Sequence, residues 1–369
     1  MTTSGYLIIV ILGLLFLVIF QIAKASEYVS VLKGEKKAME QNNRINGFLM
    51  VVFLVVGLAA AWWCNELLYK KTLLAFPAAS EHGQKIDTML WITLGITGFV
   101  FVVTQILLFW FAYRYQASEK RTAYYYPHNN NLEVLWTAVP AIALTVLVGF
   151  GLYYWFKITG EPPKDAMEVE VTGHQFAWEY RYPGKDGVLG RINYKLIDAA
   201  KNNPLGQDWN DAANQDDLHP SELHLVVNKP VRLVIRSQDV IHDVGLPHFR
   251  MKMDAVPGIP TTMWFTPKYT TQEMKEITKN PNFVYEIACD QLCGNGHFGM
   301  RGVIVVESQA DYDKWIATQK SQYATANPNL LPAANPGTAV APGADNKPLA
   351  NQVQESAGKP VAQSLSSHK

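Results

Sequence analysis

Four stretches of this chain are so long and so apolar that they dictate its surroundings before any motif is read. Residues 6–23, 45–64, 89–113 and 134–156 each approach or exceed the roughly 20 apolar residues that cross a bilayer as helix. Hydrocarbon offers no partner to backbone N–H and C=O groups, so such stretches must satisfy them internally, as helices. The whole chain, with 49% hydrophobic residues and no net charge over 369 residues, hides this concentration. No Lys or Arg precedes the first stretch and no small-residue cleavage site follows it, so it reads as a retained span rather than a secretory signal.

Charge in the short connections sets the orientation. Lys24, Lys33, Lys36, Lys37 and Arg44 follow the first span, and Arg114, Lys120 and Arg121 follow the third; Lys70, Lys71 and Lys85 lie between the second and third. The positive-inside bias puts the first and third connections in the cytoplasm. Both termini and everything after residue 156 then lie outside, which in a bacterial inner membrane means the periplasm.

After a Pro162-Pro163 break, β-branched and aromatic runs at 168–182, 222–227, 231–237, 261–265, 283–288 and 302–306 alternate with Pro, Gly, Asn and Asp, a pattern of short strands in a sandwich or Greek-key barrel. A polar stretch at 184–217 reads as a surface excursion, and helices are expected near 272–277 and 309–318. From Ala324 onward no aromatic residue remains, and that composition cannot bury enough apolar surface to order itself. The fold class is therefore α+β: four transmembrane helices, an all-β domain and a disordered tail. The divisions expected are an N-terminal transmembrane hairpin with its connecting loop at 1–88, a second hairpin at 89–160, the β-domain at 161–320 and the tail at 321–369. There is no CxxCH for covalent haem, no internal repeat and no nucleotide-binding loop, and no nucleic-acid partner is expected.

The chemistry is concentrated in Cys289, Cys293, His297 and Met300, a CxxxCxxxHxxM run with Gln291 between the cysteines, and in His242 upstream. Two thiolates on one loop can bridge a pair of soft copper ions, two imidazoles can terminate the pair and a thioether can bind weakly. A single blue-copper site needs one Cys, and a structural zinc site shows paired ligands at other spacings. In an oxidising compartment the two cysteines could instead close a small disulfide if left without metal.

Four motifs in order, EVLWTAVP at 133–140, GHQFAW at 173–178, DVIH with KMDAVPG at 239–258 and CDQLCGNGHFGM at 289–300, resemble subunit II of the haem–copper cytochrome c oxidases. That resemblance implies a cupredoxin domain carrying the dinuclear copper centre CuA. Cys289 and Cys293 would bridge the coppers, His242 and His297 would bind one each, Met300 one copper and the Gln291 backbone carbonyl the other. It also implies a membrane-embedded partner, subunit I, that holds the haems and reduces oxygen, further oxidase subunits, and an electron donor that is a c-type cytochrome or a haem c domain of a neighbouring complex.

Two departures matter. Gln291 stands where the family has Glu, and loss of that charge counts against a magnesium ion shared with subunit I. Phe176 stands where the family has the exposed Trp that meets cytochrome c; Phe176 and Trp178 are the aromatic residues expected near electron acceptance, with Phe176 equally readable as strand packing. Glu133, at the cytoplasmic edge of the fourth span, resembles the Glu that opens a proton path into subunit I. Asp239 and Asp254 are expected to orient copper ligands or to meet the partner. The first hairpin exceeds the family's usual two spans and reads as an anchor or a docking element. Two other functions share much of this pattern: a CuA subunit of a nitric oxide reductase, and a copper-storage or assembly protein.

Overall fold

The computed structural model describes residues 3–118 and 120–327. Four long helices come first: α1 (Thr3–Lys33), α2 (Glu35–Leu68), α3 (Glu81–Arg114) and α4 (Asn130–Ile158), all long and apolar enough to cross a membrane. Their large apolar side chains are mostly exposed on the protein surface, as suits helices whose solvent is lipid. The connection expected at 24–44 is instead helical apart from Gly34. Its Lys, Glu, Gln, Met and Ala residues are good helix formers, and Gly34 takes φ +82° without the steric penalty of a Cβ.

The β-domain is a sandwich of two sheets. Strands β1 (Met167–His174), β2 (Ala177–Arg181), β3 (Leu223–Val226), β4 (Val231–Ser237), β5 (His242–Leu246), β6 (Met251–Ala255), β7 (Thr261–Phe265), β8 (Tyr285–Cys289) and β9 (Arg301–Glu307) form one sheet in the order β2-β1-β4-β7 and another in the order β3-β9-β8-β5-β6. Val169, Val171, Leu233 and Ile235 from the first sheet and Leu225, Val244, Ile287 and Ile304 from the second are fully buried in the core between them. This is the cupredoxin-like architecture expected. Helices α5 (Thr271–Thr278) and α6 (Gln309–Thr318) lie where the sequence puts them.

Several local expectations are revised. The run at 168–182 is a hairpin, turning at Gln175 and Phe176, two residues without the usual Gly or Asn turn signal. Strands β5 and β6 went unforeseen because His, Asp, Gly and Lys interrupt them; the ladder His242↔Ala255 to Leu246↔Met251 holds them in spite of weak propensity. The polar stretch 184–217 is not simply a surface excursion. It closes over Arg181, whose guanidinium is 1% exposed and meets Glu170 at 3.1 Å, Asp217 at 3.3 Å, Asn214 at 3.1 Å and the Gly190 carbonyl at 2.9 Å. A buried guanidinium demands such partners. At the start of the expected tail, α7 (Gln322–Ala326) is ordered, with Tyr323 edge-on to Trp209 at 5.6 Å. The tail from 328 onward lies outside the described residues.

The start of α3 is sewn into the β-domain. Ser80 bridges Pro267, Ala79 N–H donates to the His248 carbonyl at 2.8 Å, and Lys268 N–H donates to the Ala79 carbonyl at 2.8 Å. The Ser80 hydroxyl donates to the Phe249 carbonyl at 2.6 Å and accepts from Gly83 N–H at 2.8 Å, capping the helix. Arg250 completes the seam, pairing with Asp87 at 3.0 Å and donating to the carbonyls of Leu73 at 2.8 Å and Phe76 at 3.0 Å.

Candidate metal centre

Strands β5, β8 and β9 converge on one end of the sandwich, and the loop 290–300 between β8 and β9 folds back over them. Cys289 ends β8, with its N–H donating to the Met300 carbonyl at 3.1 Å, so the loop is closed at its base. His242 opens β5, the strand beside β8. The two cysteine sulfurs are 3.8 Å apart. His242 Nδ1 is 3.8 Å from Cys289 Sγ, His297 Nδ1 is 3.7 Å from Cys293 Sγ, Met300 Sδ is 3.9 Å from Cys293 Sγ, and the Gln291 carbonyl oxygen is 3.1 Å from Cys289 Sγ. His242, Cys289, Cys293 and Met300 are buried, and His297 is half-buried.

This donor set fits a metal, and the two sulfurs are not joined in a disulfide. A sulfur–sulfur bond is about 2.05 Å, far below 3.8 Å. Two thiolate–metal bonds, with zinc–thiolate as the scale at about 2.3 Å each, allow the sulfurs up to about 4.6 Å apart, so one ion can touch both and two can be bridged. Two thiolates, two imidazoles, a thioether and a carbonyl are six donors, more than one four-coordinate ion uses. Burial, followed by the neighbouring Cys289, pushes the Cys293 thiol up to about 11. A pair of adjacent thiolates here calls for cationic charge.

The groups around these candidate ligands fix their aim. Asp239 Oδ1 lies 2.8 Å from His242 Nε2, which leaves Nδ1, the nitrogen facing the sulfur, free to ligate. Asp239 is itself held by the N–H groups of Gln175 and Val240, each at 2.7 Å. Gln175 also donates its side-chain amide to the Cys293 carbonyl. Sequence reasoning passed over Gln175, although it lies in GHQFAW, since a lone amide in a strand run gives no sign of bridging two loops. Gly173 went unremarked too: a Cβ there would lie 2.9 Å from the Trp178 ring and 3.1 Å from that of His242.

The other expected residues are placed as follows. Trp178 is 7% exposed, its ring edge-on to His242 at 6.0 Å, so it packs inside the site. Phe176 is 39% exposed and lies over the ligand loop, against Gly294 and Gly296. Asp254 is opposite Asp243 on the β5–β6 ladder, and burial followed by Asp254 pushes Asp243 up to about 6; no hydrogen bond joins the Asp254 carboxylate to a ligand side chain among the described residues. Glu133 is exposed in the first turn of α4, where its carboxylate accepts from Asn129 N–H at 3.4 Å. The Gln291 side chain is exposed.

Residues 167–309 match the family described as cytochrome C oxidase subunit II, periplasmic domain, and residues 72–153 match cytochrome C oxidase subunit II, transmembrane domain. Helices α1 and α2 precede both matches. The alternative cytochrome c oxidase subunit 2 of Bradyrhizobium diazoefficiens is 34% identical over 280 residues, covering 74% of this chain and 91% of the relative. The cytochrome c oxidase subunit 2 of Thermostichus vulcanus is 27% identical over 281 residues, 69% of this chain and 80% of the relative. Among solved structures, the periplasmic domain of subunit II of cytochrome oxidase from Bradyrhizobium japonicum is 25% identical and covers 44% of this chain and 99% of its own, with a TM-score of 0.30.

Proposed function

The chain belongs to the cytochrome c oxidase subunit II family, and from that membership we propose that it accepts electrons, one at a time, for a respiratory haem–copper oxidase. The donor is a c-type haem, soluble or in a neighbouring complex. The acceptor is the haem of subunit I, where oxygen is reduced to water with proton translocation. The chain sits in the bacterial inner membrane with its β-domain in the periplasm.

The observation that carries this reading is the pair of buried sulfurs 3.8 Å apart with an imidazole nitrogen 3.8 Å from one and 3.7 Å from the other. In the proposal Cys289, Cys293, His242, His297, Met300 and the Gln291 carbonyl would hold the coppers. A dinuclear copper pair supplies one-electron exchange with the charge change spread over both ions and their sulfurs. The chain's own residues keep that exchange fast. The closed base of the loop and the buried ligands exclude water, and Asp239 and Gln175 hold His242 and the Cys293 carbonyl so that little moves. Phe176, an exposed aromatic residue over the loop, meets the donor, while Trp178 supports His242 from within. Asp254 acts on the partner-facing edge rather than on a ligand. Glu133 offers a titratable group at the opposite membrane face for proton uptake into subunit I. Magnesium is not part of the proposal, because Gln291 brings no charge for it.

The test is the full chain loaded with copper, with metal analysis and electron paramagnetic resonance. Two coppers per chain sharing one unpaired electron are expected, with rapid reduction by a c-type cytochrome. One copper with a localised signal, or ready release without reduction, would favour storage. Turnover of the purified complex with nitric oxide but not oxygen would reassign the partner.

A further inference from the structure

At the end of α2 and α3 away from the β-domain, the two helices part around an open cleft of about 530 Å³. With its start in the seam and 34 residues at about 1.5 Å rise each, α3 carries this end roughly 50 Å away. Two contacts hold the walls in register. The Asn43 amide donates to the Ala117 carbonyl at 3.2 Å, and Gly47 lets the Gln116 amide approach so closely that a Cβ would sit 3.0 Å from it.

The cleft is polar at its mouth and apolar below. Arg44 and Arg121 line it together with Ile45, Phe48 and Tyr113. Arg121 donates to the Arg114 carbonyl at 2.6 Å, but neither Arg44 nor Arg121 forms an ion pair among the described residues. The stretches 33–44 and 114–121 carry seven Lys and Arg against three Glu. Phe48 is 60% and Ile45 47% exposed, at the start of the apolar stretch 45–64. Guanidiniums with no ion pair among the described residues, next to exposed apolar side chains, match a ligand with an anionic head and a hydrocarbon chain. A free anion would leave the apolar floor uncovered.

We propose that this cleft binds an anionic phospholipid, with its phosphate between Arg44 and Arg121 and an acyl chain along Ile45, Phe48 and Tyr113. Glu40, at the same mouth and approached by the Ser118 hydroxyl at 3.4 Å, offers an acceptor to a headgroup hydroxyl and repels a second negative charge, which favours phosphatidylglycerol. Four of its nine lining residues are on α2, outside the residues matched to the family, and the other five lie at the end of α3 and just beyond it, within the match; the site does not depend on the copper reading.

The test uses the full chain, delipidated in neutral detergent, titrated with brominated phosphatidylglycerol or brominated phosphatidylcholine while quenching of its fluorescence and native mass are followed. Each basic residue at the surface of an anionic membrane contributes about fivefold in affinity. Phosphatidylglycerol should therefore bind about 30-fold more tightly than phosphatidylcholine. R44Q/R121Q should abolish that preference and R44K/R121K should keep most of it, with helix content unchanged by circular dichroism. Preference retained in R44Q/R121Q would overturn the proposal. So would full competition by millimolar inorganic phosphate, which would mark a free-anion site, or loss of a co-purifying subunit from R44Q/R121Q with lipid binding unchanged, which would mark a protein interface.

Discussion

Replacing Gly173 with Ala tests whether packing behind His242 sets the metal centre. The added Cβ would stand 2.9 Å from Trp178 Cζ3 and 3.1 and 3.2 Å from His242 Cδ2 and Cγ. Carbon atoms are comfortable at about 3.5–4.0 Å, so the imidazole must retreat by at least about 0.4 Å and the indole by about 0.6 Å. Neither has room, since Trp178 is 7% and His242 0% exposed. Overpacking of this kind destabilises by about 1–3 kcal/mol, and metal–ligand distances tolerate only about 0.2 Å. We expect a lower denaturation midpoint together with weaker copper binding and an altered visible and paramagnetic spectrum. Gly299 supplies the control: it is in the ligand loop, nothing lies within 4 Å of a Cβ there, and Gly299→Ala should leave both readouts unchanged. A G173A chain with native stability and a native copper spectrum would refute the argument that His242 is positioned from behind.

Three further outcomes are expected. Asp239→Ala frees the His242 ring and should lower copper affinity about 10–100-fold, read by competition with a chelator, while the stoichiometry stays that of the parent. Asp217, fully buried, is pushed up to about 7 chiefly by burial, with Arg181 opposing. A carboxyl raised in the folded state gives stability that is complete below its unfolded value and is lost as pH rises through the folded one, so urea denaturation should show Asp217→Asn gaining about 3 kcal/mol on the parent between pH 5 and pH 8. Arg250→Met leaves Asp87 and the carbonyls of Leu73 and Phe76 without their donor. The seam should weaken by about 2–4 kcal/mol, seen as faster amide exchange across 73–81; unchanged protection there would show that the backbone bonds suffice.

The elements that could be read from sequence were those whose signal is local. Span hydrophobicity, the β-branched runs of β4 and β7 and the bounds of α6 needed no knowledge of the fold. The run from Cys289 to Met300 reads as one donor set because its spacing lies on one loop, and His242 joins it because the downstream donors call for another imidazole; the structure brings these side chains together. What escaped was created by pairing across distance. His242 to Leu246 is a strand only because β6 and β8 flank it. Arg181 looks like a solvated charge until Glu170 and Asp217 enclose it. Gln175 acquires its place from Asp239, 64 residues away, and Cys293, 118 residues away.

The seam at the start of α3 also imposes an order of events. Ser80 bonds to Phe249, a partner 169 residues later in the chain, and its neighbours bond to His248, Thr266 and Lys268. As the chain emerges from the ribosome, α3 reaches the bilayer long before any of those partners has been made, and contacts of such separation form late. Loop 72–80 therefore waits, with unpaired backbone groups, until the sandwich has folded around it. The closed seam is thus a mark of a finished molecule.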